Sequence, residues 1–168
     1  MLSPDYYYES VFAIPYNEFL QKNIRALIFD LDNTLAPYDV LHAPAKVTAL
    51  MKRLKRMGFS ICLLTNNTEK RIRTFNEHLG LPAIHSAMKP FTMAIKRAMG
   101  IMDAKPEETA IIGDQLFSDI WAGKNARITT ILVKPASSRD IITVRFKRHI
   151  ERFFIKSYIN KRNQSKET

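Results

Sequence analysis

The sequence has few features that would place it outside a reducing compartment or inside a membrane. It has one cysteine, Cys62, which cannot form a disulfide within the chain and favours a reducing compartment. No apolar run approaches the roughly 20 residues that a membrane-spanning helix needs. The first residues lack a basic segment followed by an apolar stretch, so we expect no secretory signal. We therefore predict a cytoplasmic protein.

Glycine-rich nucleotide-binding patterns are also absent. Neither GxGxxG nor GxxxxGK followed by Ser or Thr occurs, so dinucleotide and P-loop nucleotide binding are not indicated. The four histidines lack the spacing of metal ligands. With no internal repeat or low-complexity linker, 168 residues predict one domain, 1–168, that is long enough for a substantial core.

Acidic residues are few relative to basic ones. The chain has 16 Asp and Glu against 26 Lys and Arg, a formal net charge of +10. Much of the excess lies in residues 139–168, where nine basic and three acidic residues give a net charge of +6. Such a segment indicates an anionic partner (membrane lipid, nucleic acid or an acidic protein surface), or it is a solvated helical face.

The segment 139–168 also has the pattern of a basic amphipathic helix. Apolar residues recur every four positions along it: Ile142, Phe146, Ile150, Phe154 and Tyr158. A helix of this kind can lie in an anionic membrane interface, which predicts a protein peripheral to the membrane, or it can pack its stripe on the domain. The aromatic N-terminal segment 1–22 has two interpretations as well, an interfacial anchor or a cover over an open sheet edge.

Short apolar runs alternate with helical patterns from residue 25 onward. The runs predict strands at 25–29, 60–64, 83–85, 109–112 and 129–133. The patterns between them predict helices at 44–57, 69–79, 92–99 and 119–125. This alternation predicts an α/β fold, a three-layer doubly wound parallel sheet with helices on both faces. We expect Trp121 to lie in the core.

Polar side chains follow four of the predicted strands. In chain order they are Asp30, Asp32 and Thr34, then Thr65 and Asn66, then Lys89, then Asp114 and Asp119. Ligands of such sheets bind beyond the carboxyl ends of the strands, so we expect these side chains to form one site. Asn66 and Asn67 have two interpretations, since they can position a phosphate-binding loop or be ordinary turn residues.

Paired aspartates at the end of a buried strand need compensation, because like charges repel and each loses hydration. A cation offers it, and Asp30 and Asp114 can supply the hard oxygen ligands that Mg²⁺ prefers. The set suits phosphoryl transfer, in which one carboxylate attacks phosphorus and a second carboxylic acid protonates the leaving oxygen. Asp32 follows Asp30 on the turn and can reach that oxygen. Thr65 and Lys89 can donate hydrogen bonds to the phosphoryl oxygens.

These motifs resemble those of the haloacid dehalogenase (HAD) superfamily of phosphatases. DLDNT matches the DxDxT first motif, Thr65 the second motif, Lys89 the third, and GDQLFSD the fourth. The resemblance implies a Rossmann-like core, Mg²⁺ dependence and hydrolysis of phosphomonoesters through an aspartyl-phosphate.

The same resemblance implies a role for each residue. Asp30 is the nucleophile and Asp32 the general acid and base. Mg²⁺ is held by Asp30, Asp114 and the backbone carbonyl of Asp32. Thr65, Asn66 and Lys89 bind the substrate phosphate, and Thr34 and Asp119 support the site.

A narrower resemblance covers the whole layout. The segment PDYYYESVFAI, the four motifs and the basic C-terminal segment resemble the YqeG-type, subclass IIIA phosphatases of Gram-positive bacteria. Those are similar to mitochondrial phosphatidylglycerophosphate phosphatases, which implies phosphatidylglycerophosphate as a candidate substrate. One departure is Met88, where the resemblance implies a basic residue.

The spacing of the motifs bears on the size of the substrate. Thr65 follows Thr34 by 31 positions and Lys89 follows Thr65 by 24, which is too little for a separate cap domain. An uncapped, open site suits large substrates such as lipid head groups, proteins or nucleic-acid ends. Two alternatives stay open: a non-catalytic protein that binds phosphate or Mg²⁺ on the same fold, and a phospho-receiver domain.

Overall fold

A computed structural model describes residues 2–137 of the chain. Its strands are β1 (Tyr6–Tyr8), β2 (Ala26–Phe29), β3 (Ser60–Leu64), β4 (Ala83–Ile84), β5 (Thr109–Gly113) and β6 (Thr129–Val133). Its α-helices are α1 (Tyr16–Gln21), α2 (Ala45–Arg56), α3 (Glu69–Asn76), α4 (Met93–Met102) and α5 (Trp121–Asn125). Short 3₁₀ turns occur at Val11–Ala13 and Pro106–Glu108, and a π-helical turn at Leu116–Ile120. The predicted helix 139–168 lies outside the described residues.

The six strands form one parallel sheet in the order β1-β6-β5-β2-β3-β4. Strand β2 lies near its middle, and all four of its residues are apolar and buried, as a parallel strand covered on both faces requires. Ile28 pairs with Cys62 of β3 on one side and with Ile111 of β5 on the other. The residue after β2 therefore emerges at the centre of the carboxyl edge, between the ends of β3 and β5.

Helices cover both faces of the sheet. Because successive strand residues point to opposite faces, Leu27 and Phe29 pack in one core with α1, α2 and α3. Ile28 packs in a second core with α4 and α5. These two apolar layers confirm the predicted three-layer α/β architecture.

The N-terminal aromatic segment supplies a strand that the sequence analysis did not predict. Tyr6–Tyr8 pairs with β6 as β1 and forms an edge of the sheet. Asp5 anchors the start of this strand, because its Oδ2 accepts hydrogen bonds from the backbone N–H of Thr130 (2.9 Å) and from its hydroxyl (2.8 Å). Of the two interpretations of segment 1–22, the structure supports the cover over a sheet edge.

The helix predicted at 119–125 differs in form and in one buried residue. It begins as the π-helical turn Leu116–Ile120 and becomes α-helical only at Trp121. The prediction of a core Trp121 is wrong, since 45% of its surface is exposed while Ala122 and Gly123 of α5 are buried. None of the helices within residues 2–137 is long and apolar enough to cross a bilayer.

The intervals between the motifs contain single helices and their connections. Between Thr34 and Thr65 the chain forms α2 and β3, and between Thr65 and Lys89 it forms α3 and the two-residue β4. The carboxyl ends of β2, β3 and β4 therefore lie at the same edge of the sheet, with one helix between each strand and the next.

Candidate active site at the carboxyl edge of the sheet

Asp30 lies at the centre of the carboxyl edge and continues the line of β2. Its backbone N–H donates to the carbonyl of Ile112 (2.9 Å), so the neighbouring strand β5 fixes the backbone position of this residue. The side chain is buried and has a donor at each oxygen. Oδ1 accepts from the Lys89 ammonium, and Oδ2 lies 3.0 Å from the Thr34 hydroxyl. Both contacts fix the carboxylate in one orientation.

Lys89 connects two of the carboxylates. Its Nζ lies 2.6 Å from Asp30 Oδ1 and 2.5 Å from Asp119 Oδ1, and its side chain is 2% exposed. Burial lowers the pKa of this amine, but the charges of Asp119 and Asp30 outweigh that effect and raise the pKa above its usual range. Lys89 is therefore a charged donor at neutral pH.

Thr34 joins the first motif to the fourth. Its Oγ1 lies 3.0 Å from Asp30 Oδ2 and 3.0 Å from Asp114 Oδ1. The hydroxyl carries one proton, so it donates to one carboxylate at a time. The predicted supporting residue thus brings two predicted metal ligands, from β2 and β5, close together.

Asp119 approaches the site over the backbone of β5. Its Oδ2 accepts a hydrogen bond from the backbone N–H of Gln115 (3.0 Å), and the π-helical turn carries the side chain back toward Lys89. Burial raises the pKa of Asp119 to about 6, because the repulsion from Asp30 adds to desolvation and Lys89 offsets only part of both.

Carboxylate oxygens of Asp30, Asp114 and Asp119 all lie within 4.8 Å of one another, and all three residues are buried. The Lys89 ammonium pairs with two of them, Asp30 and Asp119, so these four groups, fully ionised, sum to two negative charges. A buried excess of this sign, made of hard oxygen donors, fits a divalent cation such as Mg²⁺. The negative charge of Asp30 also contributes, after burial, to the raised pKa of Asp119.

The Asp32 carboxylate lies outside this group and has partners of its own. Its Oδ1 accepts from Arg71 Nε (3.0 Å) and lies 2.9 Å from Arg71 Nη2. Its Oδ2 accepts from Asn67 Nδ2 (3.1 Å). The two predicted catalytic aspartates therefore have separate sets of contacts, with Lys89 at Asp30 and with Arg71 and Asn67 at Asp32.

Thr65 and Asn66 lie at the end of β3, beside Lys89. Thr65 is buried, and its Oγ1 accepts from the backbone N–H of Asn67 (3.0 Å). Both side-chain hydrogen bonds of Asn66 go to the backbone of Lys89, from Nδ2 to the carbonyl (3.4 Å) and from the Lys89 N–H to Oδ1 (2.9 Å). These contacts tie Asn66 to the position of the Lys89 loop, and phosphate binding by Thr65 and Asn66 stays a prediction.

Sequence analysis missed Arg71, and it did not predict that Asn67 contacts Asp32. A local signal was available for Arg71, which lies in the first turn of α3 just after the capping residue Thr68. The helix macrodipole disfavours a cation there by only about 0.3–1 kcal/mol, and the exposed Lys70 lies in the same turn, so the signal is weak.

Comparisons with known proteins agree with this geometry. The sequence matches the HAD-hydrolase-like family over residues 86–147. It is 36% identical over 149 residues to "Probable phosphatase YqeG" of Bacillus subtilis, covering 89% of this chain and 87% of that protein. It is 24% identical over 154 residues to phosphatidylglycerophosphate phosphatase 1, chloroplastic/mitochondrial, of Arabidopsis thaliana, covering 84% of this chain and 43% of that protein.

A solved structure has the same fold. It is the cobalt-bound deoxy-D-mannose-octulosonate 8-phosphate phosphatase YrbI of Haemophilus influenzae, with a TM-score of 0.52 and 21% identity over 66% of each chain. The likeness to YqeG extends over nearly the full length of both proteins, and the motif residues converge as the superfamily pattern predicts. The chain therefore belongs to the YqeG family of HAD-superfamily phosphatases.

Proposed function

We propose that this phosphatase hydrolyses phosphomonoesters with Mg²⁺ and through an aspartyl-phosphate formed on Asp30. The observation that carries the proposal is the buried group of three carboxylates, two of which pair with the Lys89 ammonium. Asp30, Asp114 and the backbone carbonyl of Asp32 are the proposed ligands, with Asp119 beside them. Mg²⁺ bound there would offset the repulsion between the carboxylates and an anionic phosphoryl group.

The proposed reaction has two displacements at phosphorus. In the first, an Asp30 oxygen bonds to phosphorus, the bond to the ester oxygen breaks, and that oxygen takes a proton from Asp32. In the second, a water oxygen bonds to phosphorus, its proton passes to the Asp32 carboxylate, and the bond to Asp30 breaks to release phosphate. Asp30 and Asp32 return to their starting forms.

Lys89 and Thr65 assist both displacements as hydrogen-bond donors. The ammonium already contacts Asp30, so a phosphoryl group transferred to Asp30 arrives next to Lys89. A donor placed in advance at the position where negative charge accumulates stabilises the transition state without reorganising. The buried Thr65 hydroxyl, at the end of the neighbouring strand, is the second proposed donor.

For the substrate we infer a lipid-borne phosphomonoester, with phosphatidylglycerophosphate the first to test. Eight large apolar side chains are strongly exposed among the described residues, and seven of them follow the carboxyl ends of strands, as the site does. We call these seven the apolar rim: Phe12, Tyr38, Leu41, Met88, Phe91, Met93 and Trp121. Exposed apolar side chains on the segments that lead from the carboxyl ends of the strands suit the interface of a bilayer.

The charge of the chain supports an anionic bilayer as the partner of this rim. After β6 the backbone N–H of Ala136 donates to the carbonyl of Asn33 (2.6 Å), so the chain passes beside the first motif. The segment 139–168, with a net charge of +6, begins three residues later. Basic segments near a membrane bind anionic lipids. We therefore propose a cytoplasmic protein that works peripherally at a membrane.

The test is phosphate release with Mg²⁺ from phosphatidylglycerophosphate in mixed micelles, from soluble phosphoesters, from a phosphoprotein and from phosphorylated oligonucleotides. Asp30→Asn is the blank, and we expect it to fold normally and to be inactive. Selective release from the lipid supports the full proposal. Release only from soluble esters, phosphoprotein or oligonucleotides keeps the mechanism and rejects the lipid. Full activity of the Asp30→Asn variant rejects Asp30 as nucleophile.

A nucleic-acid phosphatase is the second candidate, because the net charge of +10 suits a polyanion as well. The two candidates differ in salt dependence. If activity depends on oligonucleotide binding, the binding constant should fall steeply with salt. The logarithm of this constant should fall against the logarithm of the salt concentration with a slope of about −0.7 per neutralised phosphate for single strands. A protein that binds Mg²⁺ or phosphate but releases phosphate from none of the substrates would instead be a non-catalytic member of the fold.

A further inference from the structure

Arg71 is a buried cation whose contacts converge on one predicted catalytic residue. Its side chain is 8% exposed, and within residues 2–137 the only carboxylate with which it forms an ion pair belongs to Asp32. Nη1 donates to the carbonyl of Leu41 (3.0 Å), and the guanidinium carbon lies 5.3 Å from the centre of the Phe75 ring. The guanidinium is thus held in place by groups from three segments of the chain.

The energetics of this position do not favour an arginine. Burying a guanidinium costs desolvation free energy, and an ion pair commonly offsets that cost without a net gain in stability. Arg71 also lies in the first turn of α3, where the positive end of the helix macrodipole opposes a cation. Moreover, Nη2 is buried and makes no hydrogen bond of good geometry, although it lies 2.9 Å from Asp32 Oδ1. Replacing both members of such a pair by apolar residues is often neutral or stabilising, so stability alone does not account for the pair of Arg71 with Asp32.

Arg71 and Asn67 together determine where the Asp32 carboxylate lies. Arg71 holds Oδ1 and Asn67 holds Oδ2, and both residues belong to the segment that follows β3. The same segment carries Thr65 at its start. The position of Asp32 is therefore set by the segment that is proposed to bind the phosphoryl group, and not only by its own turn.

We propose that Arg71 is a positioning residue for Asp32. It holds the carboxylate apart from the Asp30–Lys89 pair, so that Asp32 faces the leaving oxygen in the first displacement and the attacking water in the second. Arg71 itself exchanges no proton and touches no reacting atom. This role rests on the proposed function, because it presupposes that Asp32 transfers protons.

The role predicts selectivity for the leaving group. An alkyl leaving group needs a proton as its bond to phosphorus breaks, whereas p-nitrophenolate leaves readily without one. The value of kcat/KM reports the steps up to and including the first displacement. It therefore measures how much the reaction depends on a proton supplied to the leaving group. In Arg71→Gln we expect kcat/KM to fall about 100-fold for an alkyl phosphate, the loss that misplacement of a proton-transfer group produces. For p-nitrophenyl phosphate we expect a fall of less than about fivefold.

The second displacement provides a separate readout. It uses Asp32 as the base for water whatever the first leaving group was, so kcat for p-nitrophenyl phosphate should fall even where kcat/KM is preserved. Phosphorylated enzyme should then accumulate during turnover. A purely structural arginine would change the amount of folded protein but would not separate kcat from kcat/KM.

Two further variants make the test specific. Arg73→Gln is the matched control, since Arg73 lies on the same helix, is 79% exposed and pairs only loosely with Glu69 (3.9 Å). Arg71→Lys keeps the charge but cannot donate to Asp32 and Leu41 from a rigid fork, so we expect it to show the same selectivity in a milder form. It also replaces Arg71→Gln if that variant unfolds.

The deciding measurement is a double-mutant cycle with Asp32→Asn. If Arg71 acts through Asp32, Arg71→Gln lowers kcat/KM for the alkyl phosphate in the parent protein and causes little further loss in Asp32→Asn. Equal losses in both backgrounds, or equal losses for alkyl and aryl phosphates, overturn the proposal. Failure of the proposed function is recognised separately, by an active Asp30→Asn variant or by an Asp32→Asn variant without leaving-group selectivity.

Discussion

The Asp119 carboxyl group occupies the space that a side chain at Gly113 would fill. A Cβ built on Gly113 would overlap the Cβ, Cγ and Oδ2 of Asp119. The backbone of β5 thus permits Asp119 to reach Lys89 only because position 113 has no side chain. This relationship connects Gly113, the glycine of GD in the fourth motif, to Asp119, five residues after Asp114.

Gly113→Ala should therefore displace Asp119 and release one of the two carboxylates that hold Lys89. We expect phosphatase turnover to fall about tenfold or more and the free energy of unfolding to fall by about 1–3 kcal/mol, the usual cost of overpacking. Gly100→Ala is the control, because a Cβ there would meet no atom within 4 Å apart from neighbouring residues and the backbone of its own helix, and alanine in a helix should stabilise by up to about 1 kcal/mol. Unchanged turnover in Gly113→Ala would show that Asp119 is dispensable.

Lys89→Met should change Mg²⁺ affinity and turnover in opposite directions. Removing the ammonium takes away the positive charge that pairs with Asp30 and Asp119, so Mg²⁺ should bind at least about tenfold more tightly by isothermal titration calorimetry. Turnover at saturating Mg²⁺ should fall by about 10²–10³, the usual loss on removing a donor that stabilises the transition state. The exposed Lys96, changed to Met, should alter neither quantity. Weaker Mg²⁺ binding in Lys89→Met would contradict a metal site beside this amine.

The apolar rim should matter only for a substrate held in a membrane. We expect the double variant Phe91→Ser, Met93→Ser, at side chains 69% and 71% exposed, to lower activity on vesicle-borne phosphatidylglycerophosphate about tenfold or more, because each side chain loses apolar area for insertion. Activity on a soluble phosphoester should stay within about twofold. Ile101→Ser provides the control. Ile101 is exposed but lies near the C-terminal end of α4, whereas Met93 begins that helix. An equal loss on both substrates would place the rim in the catalytic site instead.

Cys62 should resist thiol reagents in the folded protein. It is fully buried in β3, and burial raises the pKa of its thiol to about 12, so the reactive thiolate is scarce at pH 8. We expect negligible labelling by iodoacetamide in buffer and complete labelling in denaturant, measured by mass spectrometry. The unfolded thiol ionises near pH 9 and the folded one near 12, so the thiol's contribution to stability is complete below pH 9 and is lost as the pH rises toward 12. Fast labelling under native conditions would contradict the burial.

The fold and the strand-end residues were predictable from local patterns. Continuous apolar runs define buried parallel strands, and the polar residues that follow them must meet at one edge whatever their separation in sequence. This argument placed Asp30, Thr65, Lys89 and Asp114 in one region, where the structure has them. The strand β1 was missed because Tyr6–Tyr8 is short, half-buried and without alternation, so only its partner β6 identifies it.

The contacts of Asp32 could not be predicted in the same way. Arg71 lies 39 positions after Asp32, and whether it faces the site depends on how α3 is rotated against the sheet. That rotation is set by the burial of Ile72 and Phe75 in the core, which a periodic pattern indicates only approximately. Likewise, the π-helical turn that returns Asp119 to the site has no signature in a pattern of apolar residues.

The pairing of β1 with β6 has a consequence for biosynthesis. Tyr6 pairs with Ile131, so the strand made first joins the sheet only after the strand made last in the described chain has left the ribosome. Residues from Ala26 to Gly113 can meanwhile assemble the central strands β5-β2-β3 and with them the carboxylates of the site. A chain from which only the residues before Thr129 have left the ribosome should thus hold the assembled candidate site beside an uncovered edge strand, β5, a surface to which a chaperone or a second copy can bind.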